Sequence, residues 1–296
     1  MNLLVSLGCS WTYGVGVCYS PGMSESEFNN TAWDPELAKT YSFRGLLSQQ
    51  LDFKNINLSY GGSSNQAQFR LAENFFSSDV FEECKQLYDN IVVIWGITSV
   101  MRNETYLPRL DAQVSFNYSN DKIASMLGKS ILTNHFSIEN EVSLLADKIR
   151  FWDNFFDNHC VKNFWFDTFN HHNYPDNLLT ENAYNKLKNN DWTSWNNFHQ
   201  GNFETVPNRY WKFNNKKFNP TKRFIFNNQP KRDLASCLLL SHGISDGNNK
   251  YHQSNWEDDS LKIKKLAEFE LVNPFSYHPT KLSHKILADK ISAVIK

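Results

Sequence analysis

The sequence predicts an α/β protein, and three observations carry that prediction. Two runs, Leu3-Leu4-Val5 and Asn90-Ile91-Val92-Val93-Ile94-Trp95, are short, apolar and β-branched, the composition of strands covered on both faces. Each leads into a glycine-containing turn, at Gly8 and at Gly96. Segments with helical apolar spacing follow, the clearest carrying Ile138, Val142, Leu145, Ile149, Trp152 and Phe156 at alternating steps of four and three. With 296 residues and 41% hydrophobic content, a single domain can bury a large core and still carry insertions. These are expected near residues 17–40, 100–134 and 171–255, where they form a cap.

A net charge of −1 provides no long-range field toward nucleic acid or an anionic membrane, so neither is an expected partner. The five cysteines, Cys9, Cys18, Cys84, Cys160 and Cys237, are odd in number and form no C-x-x-C pair. That argues for reduced thiols rather than a disulfide framework or a zinc site. The first residues lack a basic segment followed by a long apolar one, and no apolar run approaches about 18 residues. Neither a signal peptide nor a transmembrane helix is expected, and the chain reads as a soluble cytoplasmic protein or one from a virus acting inside its host cell.

Taken in order, the first strand delivers Gly8-Cys9-Ser10-Trp11-Thr12-Tyr13-Gly14 to the carboxyl edge of the sheet, where α/β proteins place their ligands. Ser10 is the candidate nucleophile, although a serine in a glycine-bounded turn also serves as a helix cap. Thr12 is expected to bond back into the turn. Residues 17–40 look irregular, with Pro21-Gly22 and Asp34-Pro35 as turn signals. Ser42 caps a helix through Phe43, Leu46, Leu47 and Leu51, and residues 55–58 form a second strand. That strand ends at Gly61-Gly62-Ser63-Ser64-Asn65, where a glycine N–H can approach a substrate oxygen closely; a helix with Ala67, Leu71 and Phe75 on one face follows.

The strand over residues 90–95 carries Gly96-Ile97-Thr98 to the same rim, with Arg102 and Glu104 just beyond. Arg102 suits an anionic or carbonyl group, or an ion pair with Glu104. A fourth strand is expected over 161–169, and 223–226 is a candidate fifth. Asp167, His171 and His172 read as polar rim residues rather than metal ligands, because adjacent histidines in a strand face opposite ways. Between Thr205 and Arg232 there is no acid, while arginines and lysines alternate with aromatics. The preferred reading is a solvated loop with its own small aromatic core, ahead of a grip on acidic polysaccharide or single-stranded nucleic acid. His242, Asp246 and His252 match no zinc spacing. The last block, Asn273-Pro274-Phe275-Ser276-Tyr277-His278-Pro279-Thr280, leads into a helix with Leu282, Ile286, Leu287, Ile291 and Val294 inward and Pro279 in its first turn.

Gly8-x-Ser10-x-Thr12-x-Gly14 after an N-terminal strand resembles the first block of the SGNH, or GDSL-like, hydrolases. The Gly-Gly-Ser-Ser-Asn turn is similar to their second block, Gly96-x-Thr98 to their third, and His278 with His284 to their fifth, all in the family's order. The resemblance implies a flavodoxin-like three-layer α/β/α sandwich with a mainly parallel sheet. It also implies a serine esterase, deacetylating a carbohydrate or similar small O-acyl ester without metal or organic cofactor. In that reading Ser10 is the nucleophile, His278 the general base and His284 a packing residue. The oxyanion is held by the N–H groups of Ser10 and Gly62, or Gly61 in its place, and by the Thr98 hydroxyl. Trp11, Asn65 and Arg102 are candidate substrate-binding residues.

Several positions depart from the family pattern: Cys9 for aspartate, Trp11 for leucine, Thr98 for asparagine, and Phe275 for the aspartate three residues before the base. Ser276, a main-chain carbonyl or a distant acid such as Asp246 would then have to orient His278. The alternatives to an esterase are an O-acyltransferase and a glycan-binding or structural protein that has lost turnover.

Overall fold

The computed structural model describes residues 1–107, 112–117, 138–168, 223–226, 233–241 and 266–295. Strands β1 (Asn2–Leu7), β2 (Phe53–Asn57), β3 (Asn90–Ile97) and β6 (Lys162–Asp167) form one parallel sheet in the order β2-β1-β3-β6. β4 (Arg102–Leu107) and β5 (Ala112–Asn117) form a separate antiparallel pair. Val5 stands opposite both Ile56 and Val93, and Trp95 opposite Trp165. Residues 223–226 lie parallel to β6 at the sheet edge through Ile225 N–H to Trp165 O at 2.9 Å, the position expected of a fifth strand, although only a single bridge forms.

Helices cover both faces, as the continuous apolar strands require. On one side Leu4, Val92 and Ile94 meet α4 (Phe43–Leu51), α8 (Leu234–Ser241) and α9 (Lys281–Ile295) through Phe43, Leu47, Leu238, Leu287 and Ile291. On the other, Leu3, Val5, Val93 and Trp95 meet α5 (Asn65–Phe76), α6 (Asp79–Leu87) and α7 (Ile138–Asn158). Alternate residues of one strand therefore enter opposite cores. The second core is strongly aromatic: Trp95 stacks on Trp165 at 4.9 Å and lies 5.6 Å from Trp152, contacts each worth about 1 kcal/mol beyond the area they bury. The chain is thus a three-layer α/β/α sandwich.

The predicted α7 face is the buried one, with Val142, Leu145, Ile149, Trp152 and Phe156 all in the core. The α5 face is rotated from the expectation: Phe69, Ala72 and Phe76 are buried, while Leu71 and Phe75 are partly exposed, because Phe69 packs on Trp95 and Phe76 on Phe81. Residues 17–40 are helical rather than irregular. A 3-10 turn at Val15–Cys18 leads to α2 (Glu25–Thr31) and α3 (Pro35–Tyr41). A reciprocal capping box between Ser24 and Glu27 starts α2, and Asp34 caps α3 with Pro35 in its first turn. The expected insertion at 100–134 opens as the β4–β5 hairpin. Residues 118–137, His171, His172, His242, Asp246, His252 and most of the expected cap at 171–255 lie outside the described residues.

Where the basic and aromatic stretch is described, it is built into the fold. Phe224, Ile225 and Phe226 are buried, and Arg223 donates to Asn163 and Asp157. Among the described residues no helix is long and apolar enough to cross a membrane, and all five cysteines are free thiols.

Candidate active site

Ser10 opens α1 (Ser10–Tyr13), a single turn just past the end of β1. Gly14, at φ +103°, ends that turn in a conformation few residues other than glycine adopt. The position lies at the carboxyl end of β1 beside β3, where the strand order reverses and α/β sheets open a crevice. Ser10 N–H belongs to a first helical turn, whose donors have no intrahelical acceptor.

The other candidate residue arrives from 268 positions away: His278 Nε2 lies 2.7 Å from Ser10 Oγ. Its other ring nitrogen, Nδ1, lies 2.9 Å from Ser276 Oγ. The tautomer follows from the loop. Asn273 Nδ2 donates to His278 O at 3.0 Å, and Asn273 Oδ1 accepts from the N–H groups of Phe275 and Ser276 at 3.1 and 2.8 Å. The amide orientation is therefore set by main-chain groups whose roles cannot change. Ser276 Oγ–H donates to that same Oδ1 at 3.1 Å. Ser276 thus donates to Asn273 and accepts from Nδ1–H of His278, which leaves the Nε2 lone pair to accept from the Ser10 hydroxyl.

Phe275, already a departure from the pattern that the sequence resembles, has a packing role. Its ring lies 5.7 Å from Phe28 of α2 and 6.0 Å from Tyr19, tying the histidine loop to the 17–40 insertion. Gly16 brings the loop close from the other side. A Cβ on Gly16 would stand 2.2 Å from Pro279 O and 2.7 Å from His278 O, so only glycine permits this approach. The C-terminal helix starts at Lys281, two residues beyond Pro279.

His278 is half-buried, and burial, reinforced by the charge of Arg102 and partly offset by a hydrogen bond to the Ser276 main chain, lowers its pKa to about 4. Arg102 therefore sits near enough to act on the imidazole. Glu104, the expected alternative partner of Arg102, pairs with Arg70 at 2.7 Å. His284 is the packing histidine the resemblance implies: fully buried, it accepts from Phe43 N–H at 3.1 Å through Nδ1.

Two polar residues of α5 hold the three loops together. Gln68 Oε1 accepts from Gly8 N–H at 2.7 Å and its Nε2 donates to Ser63 Oγ at 2.6 Å, joining the serine turn to the glycine loop. Asn65 clamps the Thr98 peptide on both sides, with Nδ2 to Thr98 O and Thr98 N–H to Oδ1, each at 2.9 Å. Asn65 therefore has a structural role, one Nδ2 hydrogen and one Oδ1 lone pair being committed to the Thr98 peptide. Trp11 is also corrected: it is 2% exposed and lies in the core. Thr12 does not bond back into the turn; its buried Oγ1 has no hydrogen-bond partner and fills the space left by the missing side chains of Gly8 and Gly96.

Thr98 is 1% exposed and its Oγ1 also has no hydrogen-bond partner. The two glycines have different surroundings. A Cβ on Gly61 would strike the Trp33 ring at 2.0 Å, whereas Gly62, at φ +72°, faces open space with no atom within 4 Å of that direction. Sequence reasoning did not single out Asn273, Gln68, Gly16 or Trp33. Only Asn273 carried a usable signal, as an Asn-Pro turn two residues before another turn-forming side chain. Among the described residues no cluster of His, Cys, Asp and Glu could hold a metal ion.

No family model matches the chain, and comparison with curated proteins finds no match.

Proposed function

We propose that the chain is a serine esterase that removes a small acyl group from an alcohol, with a carbohydrate as the alcohol. The observation that carries this reading is the 2.7 Å contact between Ser10 Oγ and the basic nitrogen of His278. Ser10 Oγ attacks the ester carbonyl carbon while its proton passes to His278 Nε2. The resulting oxyanion faces the N–H groups of Ser10 and Gly62 and the Thr98 hydroxyl. Collapse expels the alcohol, which takes the proton from Nε2 and leaves an acyl-serine. Water then adds with the same base, releasing the carboxylic acid and restoring Ser10. Trp33 supports a sugar as the alcohol: it is 54% exposed, abuts Gly61 and lies 5.8 Å from the Tyr13 ring, an apolar face of the kind that pyranose rings cover.

A second reading is favoured by one observation, the hydroxyl rather than carboxylate at His278 Nδ1. A serine hydroxyl sets the tautomer but does little to stabilise imidazolium, so the fold would serve as a glycan-binding protein without turnover. Labelling with a fluorophosphonate separates the two. The esterase reading expects one adduct, mapped by mass to Ser10 and absent after Ser10→Ala. A folded protein that never labels supports the binding protein.

The pH profile carries a further expectation. Because the base must be neutral and its pKa is lowered to about 4, kcat/KM for an ester should stay level through pH 5 and fall only near pH 4. Arg102→Gln removes a charge that disfavours imidazolium and should move this acid limb upward. A limb near the ordinary histidine value in the wild type would show that the ring is well hydrated and that the burial argument fails.

A further inference from the structure

A cavity of about 870 Å³ is lined by α3, α4 and the edge strand β2, and it belongs to no step of the chemistry above. Arg44 lines it while being only 4% exposed. Its Nη1 donates to Asn55 Oδ1 at 3.0 Å, but its Nε is buried and has no acceptor. Because Asn55 Oδ1 is the acceptor in that bond, the other amide atom must be a donor, and Asn55 Nδ2 is likewise buried with none to receive it.

Among the described residues no carboxylate pairs with Arg44. The Tyr13 ring, 5.7 Å from the guanidinium carbon, is the neighbour that favours the cation. A guanidinium withdrawn from water without a counter-ion is costly to a fold, and two orphaned donors, its own Nε and the neighbouring Asn55 Nδ2, add to that cost. Burial correspondingly lowers the Arg44 pKa to about 10. Further positive charge lines the cavity at Lys39 and Lys54, against the one acid Glu36, which itself lies 3.8 Å from Lys39.

We propose that this cavity binds an oxyanion, the phosphate or carboxylate of a small molecule, with Arg44 as its principal partner. A guanidinium matches both groups through paired N–H donors, and Nε and Asn55 Nδ2 are donors the fold leaves unused. The volume is far larger than a bare anion and falls in the range of small-molecule sites, with Phe53, on the same face of β2 as Asn55, among the apolar lining for the rest of the ligand. The proposal is independent of the esterase reading, since it uses neither Ser10 nor His278.

The test is a titration of the folded protein with inorganic phosphate and, separately, with acetate, at constant ionic strength. It follows the Arg44 Nε–H resonance by NMR and the thermal midpoint. Expected is a saturable shift of that resonance and a midpoint rise of about 3 °C at tenfold excess over Kd. Arg44→Met should abolish the midpoint rise, and Lys54→Gln, at an exposed lining position, should weaken binding several-fold. A response to phosphate alone identifies phosphate as the group recognised, and a response to acetate alone identifies carboxylate. The proposal is overturned if neither anion shifts the Arg44 signal saturably, or if Arg44→Met responds as the wild type does. Should Arg44→Met not fold, an unchanged affinity in Lys54→Gln together with an unmoved Arg44 resonance overturns it equally.

Discussion

Ser10→Ala is expected to lower kcat/KM for an ester substrate by about 10⁴-fold or more, the largest effect any single substitution in this chain should produce. The estimate rests on the geometry at the end of β1. Oγ is the atom that touches Nε2 of His278, and in the proposed mechanism it forms the bond to the acyl carbon. Removing it deletes the covalent route and leaves only positioning and oxyanion stabilisation for direct attack by water. His278→Ala should cost a similar factor, and the double variant should be little worse than either, because the two groups act as one unit. Steady-state kinetics of the three variants checks this. A Ser10→Ala protein that keeps wild-type turnover would remove Ser10 from the chemistry altogether. Cys9 offers little as a substitute, since it is fully buried within the core.

Gly16→Ala is expected to lower kcat/KM by about 100-fold although the residue touches no substrate. An added Cβ would overlap Pro279 O at 2.2 Å and His278 O at 2.7 Å, and both obstacles are main chain, which cannot swing aside as a side chain can. The histidine loop must retreat by something near 1 Å, enough to break a 2.7 Å contact with Ser10. The loop resists, because Asn273, Phe275 and the α9 start all anchor it, so the strain should also appear as a stability loss of about 1–3 kcal/mol, read as a lowered thermal midpoint. Slow labelling by a fluorophosphonate in a protein that still folds would separate displacement of His278 from general unfolding. Wild-type activity in Gly16→Ala would show that the loop moves freely and that its position is not what sets the rate.

Much of the scaffold was legible from local pattern. The strands beginning at Leu3 and Asn90 and the α7 face were readable because burial on both faces or on one stripe leaves its mark at fixed spacing. The helices within 17–40 were legible too, in Ser24-x-x-Glu27 and Asp34-Pro35, but Pro21-Gly22 and Asp34-Pro35 weighed as turn signals although proline at a first helical position favours a helix. The α5 face was misplaced by about one residue because its burial is decided by the aromatic rings of β3 and α6 rather than by its own period.

The sequence by itself indicated the strands beginning at Leu3 and Asn90 and the turns that carry Ser10, the glycine pair and Thr98 at strand ends, because apolar periodicity and turn chemistry act over a few residues. The three-layer sandwich with its mainly parallel sheet and the place of His278 were implied only by the resemblance to the SGNH block order. Tertiary structure alone decided what Nδ1 of His278 meets. The sequence left Ser276, a main-chain carbonyl and Asp246 open; the folded loop brings Ser276 Oγ to 2.9 Å and orients it through Asn273. It also decided that Gly62 rather than Gly61 faces open space, because Trp33 covers Gly61 from another part of the chain. A hydrogen-bond partner or an open face depends on contacts between segments far apart in sequence, and no local spacing records them.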